Sequence, residues 1–180
     1  MISRQLFSIL AERVKKGKDL VLTGPRQVGK TTLLKALQTS FTEKTLWLNC
    51  DEPDVRKYLT DVTSTQLNTL IGNADIILID EAQRVKNIGL TLKLLVDNFP
   101  DKKVIVTGSS ALELSNEVNE PLTGRKFEYN LLPISVGEMV NHTNVLEEKR
   151  LMEHRLIYGM YPEVILNVGD EAITSDLRTS

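Results

Sequence analysis

The sequence predicts an α/β fold, a parallel sheet covered by helices on both faces. Two observations lead there. Four short aliphatic runs recur along the chain: DLVLTGP (19–25), LWLNC (46–50), ADIILIDEA (74–82) and KVIVTGSS (103–110), with KFEYNLLP (126–133) a weaker fifth. They are close to continuously apolar rather than alternating, as strands buried on both faces are. Stretches of helical periodicity separate them, which calls for parallel pairing and right-handed crossovers.

The N-terminal MISRQLFSILAERVKKGK lacks the basic, apolar and small-residue order of a signal peptide. It reads as an amphipathic helix with Leu6, Ile9, Leu10 and Val14 on one face. After the first strand, Thr31 to Thr39 carries Leu33, Leu34 and Leu37 at helical spacing. A polar and helical stretch follows the second strand to about Leu70, opened by Asp51, Glu52 and Asp54 where a helix N-terminus favours negative charge. Leu90 to Phe99 is a further helix, and another starts at Ala111. Glu147-Glu148-Lys149-Arg150 fits one solvated helix face with paired charges.

With 180 residues the chain suits one domain and the start of a second: a core over 1–140, then 141–180 as the opening of a small helical unit. Asp170 to Ser180 reads as an opening helix without a stop signal, so the chain is expected to be an N-terminal piece of a longer protein or a natural truncation. No apolar run approaches the roughly 18 residues of a membrane span, so no membrane partner is expected. A single cysteine, Cys50, excludes an internal disulfide and suits a reducing cytoplasm. The formal charge of −2 gives no basic footprint for nucleic acid and leaves DNA contact to a local patch or another part. His142 and His154 have no companion at metal-ligand spacing and read as surface residues; Trp47 reads as packing.

Residues 24–32, GPRQVGKTT, carry the most chemistry. Gly24-x-x-x-x-Gly29-Lys30-Thr31 matches the P-loop pattern, with an apolar strand before it and an amphipathic helix after it. The glycines let main-chain N–H groups turn inward on phosphate oxygens where a Cβ would intrude. The helix beginning near Gly29 adds its positive dipole end. Lys30 would reach the β- and γ-phosphates, and the Thr31 hydroxyl would ligate Mg²⁺. Pro25, Arg26, Gln27, Val28 and Thr32 complete the loop; Arg26 and Gln27 have no role that spacing assigns and suit solvent. A glycine-rich strand-to-helix turn without ligand is the plain alternative, and the agreement of pattern and context speaks against it.

ILIDEA ends a buried strand in two carboxylates, Asp80 and Glu81. In an open parallel sheet such a strand end faces the ligand crevice. Asp80 there would hold Mg²⁺ and Glu81 would act as general base or orienter of water. An acceptor-transferring kinase has less use for a water-activating glutamate. The fourth strand ends in Thr107, Gly108, Ser109 and Ser110. A hydroxyl there, Ser109 before Thr107, would sense phosphate or place water if this strand lies between the P-loop strand and the Asp80 strand. Capping of the next helix by Ser109 or Ser110 is the other reading, and the two are compatible.

GPRQVGKTTLL, ILIDEAQ, VTGSSALEL, LTGRKFEYNLLPISVGE and GMYPEV together resemble prokaryotic AAA-superfamily P-loop ATPases of the GPRQVGKTT and Asp-Glu-Ala-Gln type, from about residue 2 to 168. The resemblance implies a three-layer α/β/α sandwich, sheet order 5-1-4-3-2, and a small helical lid. It also implies ATP and Mg²⁺ as ligands, hydrolysis by Lys30, Thr31, Asp80 and Glu81, and a further C-terminal domain. It places Gln83 near the site without a chemical role. Gly124-Arg125-Lys126-Phe127 is similar to the segment whose arginine contacts the γ-phosphate of a neighbouring subunit, which implies a homo-oligomer; an exposed arginine at a helix end is the plainer reading. Met160 after Gly159 departs from the family's frequent second glycine. The expected function is an ATPase that moves an unidentified DNA or protein effector. The alternative is a regulatory module that holds ATP or ADP as a switch.

Overall fold

The computed structural model describes residues 2–16, 19–109 and 126–166. The described elements alternate: α1 (Gln5–Lys15), β1 (Asp19–Thr23), α2 (Lys30–Ser40), β2 (Thr45–Asn49), α3 (Pro53–Leu59), α4 (Ser64–Ile71), β3 (Ile76–Asp80), a 3₁₀ turn (Ala82–Arg84), α5 (Ile88–Asn98), β4 (Lys103–Thr107) and β5 (Lys126–Asn130). Four short helices follow: α6 (Val136–His142), α7 (Val145–Arg150), α8 (Met152–Tyr158) and α9 (Pro162–Leu166). The helices expected from Ala111 and from Asp170 lie outside the described residues.

All strand pairs are parallel, in the order β2-β3-β4-β1-β5, which is the expected 5-1-4-3-2 order. Every strand therefore ends at the same sheet edge. β4 sits between β1 and β3, so Thr107 and Ser109 come beside both the P-loop strand and the Asp80 strand.

Strand alternation builds a core on each face. Ile77, Ile79, Val104 and Val106 pack with Leu59, Leu67, Leu92 and Leu95 from α3 to α5. Ile76, Leu78, Leu20, Leu22 and Ile105 pack with Leu10 and Val14 of α1 and Leu33, Leu34 and Leu37 of α2. Burial of both sides of β3 explains its unbroken aliphatic run. The layers are helix, sheet, helix.

Three sequence expectations need correction and a fourth is refined. Ile9 does not belong to the buried face of α1: it is 44% exposed, and Leu6 with Phe7 packs instead. The polar and helical stretch to about Leu70 holds two helices, separated at Thr60–Thr63, because Thr63 and Gln66 form a reciprocal capping box that starts α4. Glu148 is not solvated; it is buried and paired with Arg155 at 3.2 Å. His154 is half-buried, its ring 4.6 Å from that of Tyr158, whereas His142 is exposed. Expectations for Cys50 and Trp47 hold: Cys50 is fully buried with its thiol pushed up to about 12, chiefly by burial, and Trp47 packs partly buried against the α1–α2 core.

Candidate functional site

The loop between β1 and α2 closes around the Lys30 side chain. Lys30 is buried, and its ammonium donates to the carbonyls of Gly24 at 3.0 Å and Pro25 at 2.8 Å. Both partners are neutral acceptors. Burial lowers its pKa, opposed by the carboxylates of Glu81 and Asp80 across the cleft. A buried ammonium held by carbonyls suits an anionic ligand. Gly24 is compulsory for two reasons, its own backbone and a distant neighbour: its φ is +145°, and a Cβ would lie 2.2 Å from the carbonyl oxygen of Leu131, just after β5. Gly29 precedes α2 with φ +95°, a second position that an L side chain resists. Arg26 and Gln27 are exposed, as expected.

The acidic side is organised through β4. Asp80 is buried at the end of β3, and the Thr107 hydroxyl donates to its carboxylate. The same hydroxyl accepts the Glu81 backbone N–H at 3.1 Å. Glu81 is thereby held in the left-handed region, φ 55° and ψ 41°, an uncommon conformation for a glutamate. Thr107 is fully buried and its one hydroxyl proton goes to Asp80, which leaves it none to donate to a phosphate. Ser109 is half-buried, and its Oγ accepts from the Gln83 amide at 2.8 Å. The same amide nitrogen donates to Glu81 Oε2 at 2.6 Å. Ser110 and Arg125 lie outside the described residues.

Sequence reasoning missed a polar tie and a cavity. Arg4, just ahead of α1, donates from Nη1 to the Val28 carbonyl at 2.8 Å, from Nη2 to the Leu132 carbonyl at 2.5 Å, and from Nε to Glu138 at 3.1 Å. It joins the phosphate loop to the segment after β5. Burial pushes the Glu138 carboxyl up, but the N–H groups of Ser135 and Gln5 and the Arg4 guanidinium together hold it below its ordinary value. Beside this tie lies a cavity of about 490 Å³ lined by Ile2, Arg4, Gly29, Thr32, Ile134 and Pro162 among others. That volume falls within the range of small-molecule sites. Its walls join the N-terminal segment, α2 with the loop before it, and residues between Ile134 and Leu166, which no local motif reveals; Ser135-x-x-Glu138 is a capping-box pattern that starts α6.

Carboxylate, hydroxyl and carbonyl oxygens are the donors Mg²⁺ takes. Thr31 at the start of α2 and Asp80 at the end of β3 supply the first two. The donor set and the buried ammonium fit a Mg-nucleotide. Among the described residues, no group of three or more His, Cys, Asp or Glu forms a site for a metal held by protein alone. No helix of the described residues is long and apolar enough to cross a membrane.

Comparison with known proteins agrees with this geometry. A family model described as AAA domain matches residues 16–140, and the chain belongs to that family. An uncharacterized protein of Mycobacterium tuberculosis is 35% identical over 123 residues, 68% of this chain and 26% of its own length. Another, of Haemophilus influenzae, is 28% identical over 92% of this chain and 45% of its own length. The chain thus spans less than half the length of these relatives. Among solved structures, a Walker-type ATPase of Pyrococcus abyssi matches with a TM-score of 0.63 at 20% identity, covering 90% of this chain and 65% of that one. The Pif1 helicase of Candida albicans matches with 0.52 at 14% identity, covering 83% and 44%. These two likenesses bear on the fold: a P-loop NTPase sandwich.

Proposed function

We propose that this AAA domain binds Mg-ATP at Gly24–Thr32 and hydrolyses it, and that loss of the γ-phosphate moves the segment after β5, its lid. The observation that carries the reading is the buried Lys30 ammonium, held among the described residues by two neutral carbonyls, with Asp80 and Glu81 across the cleft. Main-chain N–H groups from Gly24 to Thr32, with the α2 N-terminus, would hold the phosphate oxygens. Lys30 would exchange its carbonyl partners for the β- and γ-phosphates. Mg²⁺, held by Thr31 and Asp80, would neutralise charge on those phosphates. Glu81 would accept the proton of the attacking water, and Ser109 would contact the γ-phosphate. The cavity lined by Ile2, Thr32 and Pro162 would take the base. Arg4 would report occupancy of the loop to the lid through Val28 and Glu138.

By the resemblance, Arg125 would act on a neighbouring subunit's nucleotide, an effect on the order of 10³–10⁵ in rate for a supplied arginine. Mixing Arg125→Ala with Glu81→Gln subunits should restore turnover. A fully active Arg125→Ala chain with no recovery in the mixture removes that role.

The rival reading is a partner-dependent switch with little hydrolysis of its own. Exposed apolar residues after β5, Leu156 at 79% and Ile157 at 66%, favour it. A phosphate-release assay on the chain, with and without DNA, separates the two. The ATPase reading expects release by the wild type and none by Lys30→Ala. Release only in the presence of a partner supports the switch.

A further inference from the structure

We propose that Gln83 is a positioning residue that sets the Glu81 carboxylate and locks it to Ser109, so that the base and the tip of β4 act as one unit. The proposal rests on the ATPase reading above. Its basis is a three-residue string: Glu81 Oε2 accepts from Gln83 Nε2 at 2.6 Å, and the same nitrogen donates to Ser109 Oγ at 2.8 Å.

The chemistry fixes the direction of every bond. An ionised carboxylate only accepts, so the amide nitrogen and not its oxygen must face Glu81. The reversed amide would set two acceptors 2.6 Å apart. With both N–H groups of Gln83 spent, Ser109 accepts from the amide, and its own hydroxyl proton is left to point elsewhere. A phosphate oxygen at the tip of β4 is the acceptor that proton suits. Gln83 Oε1 is buried and has no hydrogen-bond partner, an acceptor available to an O–H donor such as a water between base and phosphate.

The backbone makes this string stiff. Gln83 sits at the centre of the 3₁₀ turn Ala82–Arg84, closed by Arg84 N–H to Glu81 O at 3.0 Å and Val85 N–H to Ala82 O at 3.0 Å. Ala82 and Val85 are buried in the α3–α5 core, and Arg84 pairs with Asp51 on the far side. The left-handed backbone at Glu81 turns the chain so that residue 83 returns over residue 81. An amide presented from such a turn holds its partner in place rather than following it. The Glu81 side chain is half-buried and has several rotamers open to it; the bond from Gln83 favours the one that brings Oε2 to the amide.

Steady-state phosphate release by the full chain tests this. Gln83→Ala should lower kcat by roughly 10- to 100-fold, the scale of a misplaced catalytic group, with KM for Mg-ATP within about twofold of wild type. Gln83→Met keeps the volume but has no N–H and should be as slow as the alanine variant. It also carries the test if the alanine variant does not fold, which ADP affinity reports. In a double-mutant cycle, adding Ser109→Ala to Gln83→Ala should lower kcat by less than Ser109→Ala does alone, because the string is already cut. A Gln83→Met chain at the wild-type rate overturns the proposal, and so do fully additive effects of Gln83→Ala and Ser109→Ala. Either result leaves the ATPase reading standing. A wild type that binds Mg-ATP and releases no phosphate under any condition contradicts the ATPase reading, and this proposal with it.

Discussion

The two sides of the cleft are built by different means. The loop side is main chain: two positive-φ glycines and an ammonium held by two carbonyls. The acidic side is side chain: Thr107 on Asp80, Gln83 on Glu81 and on Ser109. A main-chain cradle is specified by contiguous residues; of its exposed positions, Arg26 leaves room for change, whereas Gln27 sits at φ 63°, a backbone that resists most replacements. A side-chain string needs residues 26 positions apart in sequence to meet, and each link depends on the next. The contrast teaches that binding should reside on one side and turnover on the other.

Breaking the loop side should have the largest effect. Lys30→Ala is expected to lose measurable Mg-ATP binding and all turnover, read by calorimetry and phosphate release. Glu81→Gln should leave binding intact and slow turnover by about 10²–10⁴-fold, the usual contribution of a general base. An unaltered rate in that variant removes Glu81 from its role. Arg4→Ala sharpens the comparison, because Arg4 belongs to neither side and ties the loop to the segment after β5. It removes the cationic partner of the buried Glu138, which keeps the N–H groups of Ser135 and Gln5, and should cost about 3 kcal/mol in a denaturant titration. Thr107→Val removes one donor and one acceptor and should cost about 2 kcal/mol while slowing turnover more than it weakens binding.

The smallest effect is a pH dependence. Glu138 has its pKa lowered by folding, so it binds fewer protons folded than unfolded. Its contribution to stability is complete above the ordinary glutamate value of about 4.3 and is lost as pH falls through the lower folded value. Thermal melts of wild type should therefore fall between those limits, and Glu138→Gln should flatten that decline.

Much of this was legible because it is local. The phosphate loop is one uninterrupted motif in a strand-to-helix context. Asp80 ends, and Glu81 follows, the most apolar of the described strands, which marks them even without the loop. Five strands were readable from aliphatic runs, though their order came from resemblance to a family and not from periodicity. What was not legible is what depends on backbone conformation or on distance along the chain. Nothing in Asp-Glu-Ala-Gln says that Glu81 is left-handed, and without that turn Gln83 has no visible partner. Arg4 and Glu138 are 134 residues apart and each looks like a surface charge in isolation. Glu148 misled for the same reason: its partner, Arg155, lies in the next helix and draws it inward. Ile9 misled because the packed stripe of α1 runs through Leu6, Phe7, Leu10, Ala11 and Val14, and Ile9 falls beside it.

Calorimetric titration of Mg-ATP into wild type, Glu81→Gln and Lys30→Ala tests the central claim most directly. The account predicts one site of equal affinity in the first two and no heat of binding in the third. Equal binding by Lys30→Ala, or no binding by the wild type, would contradict it.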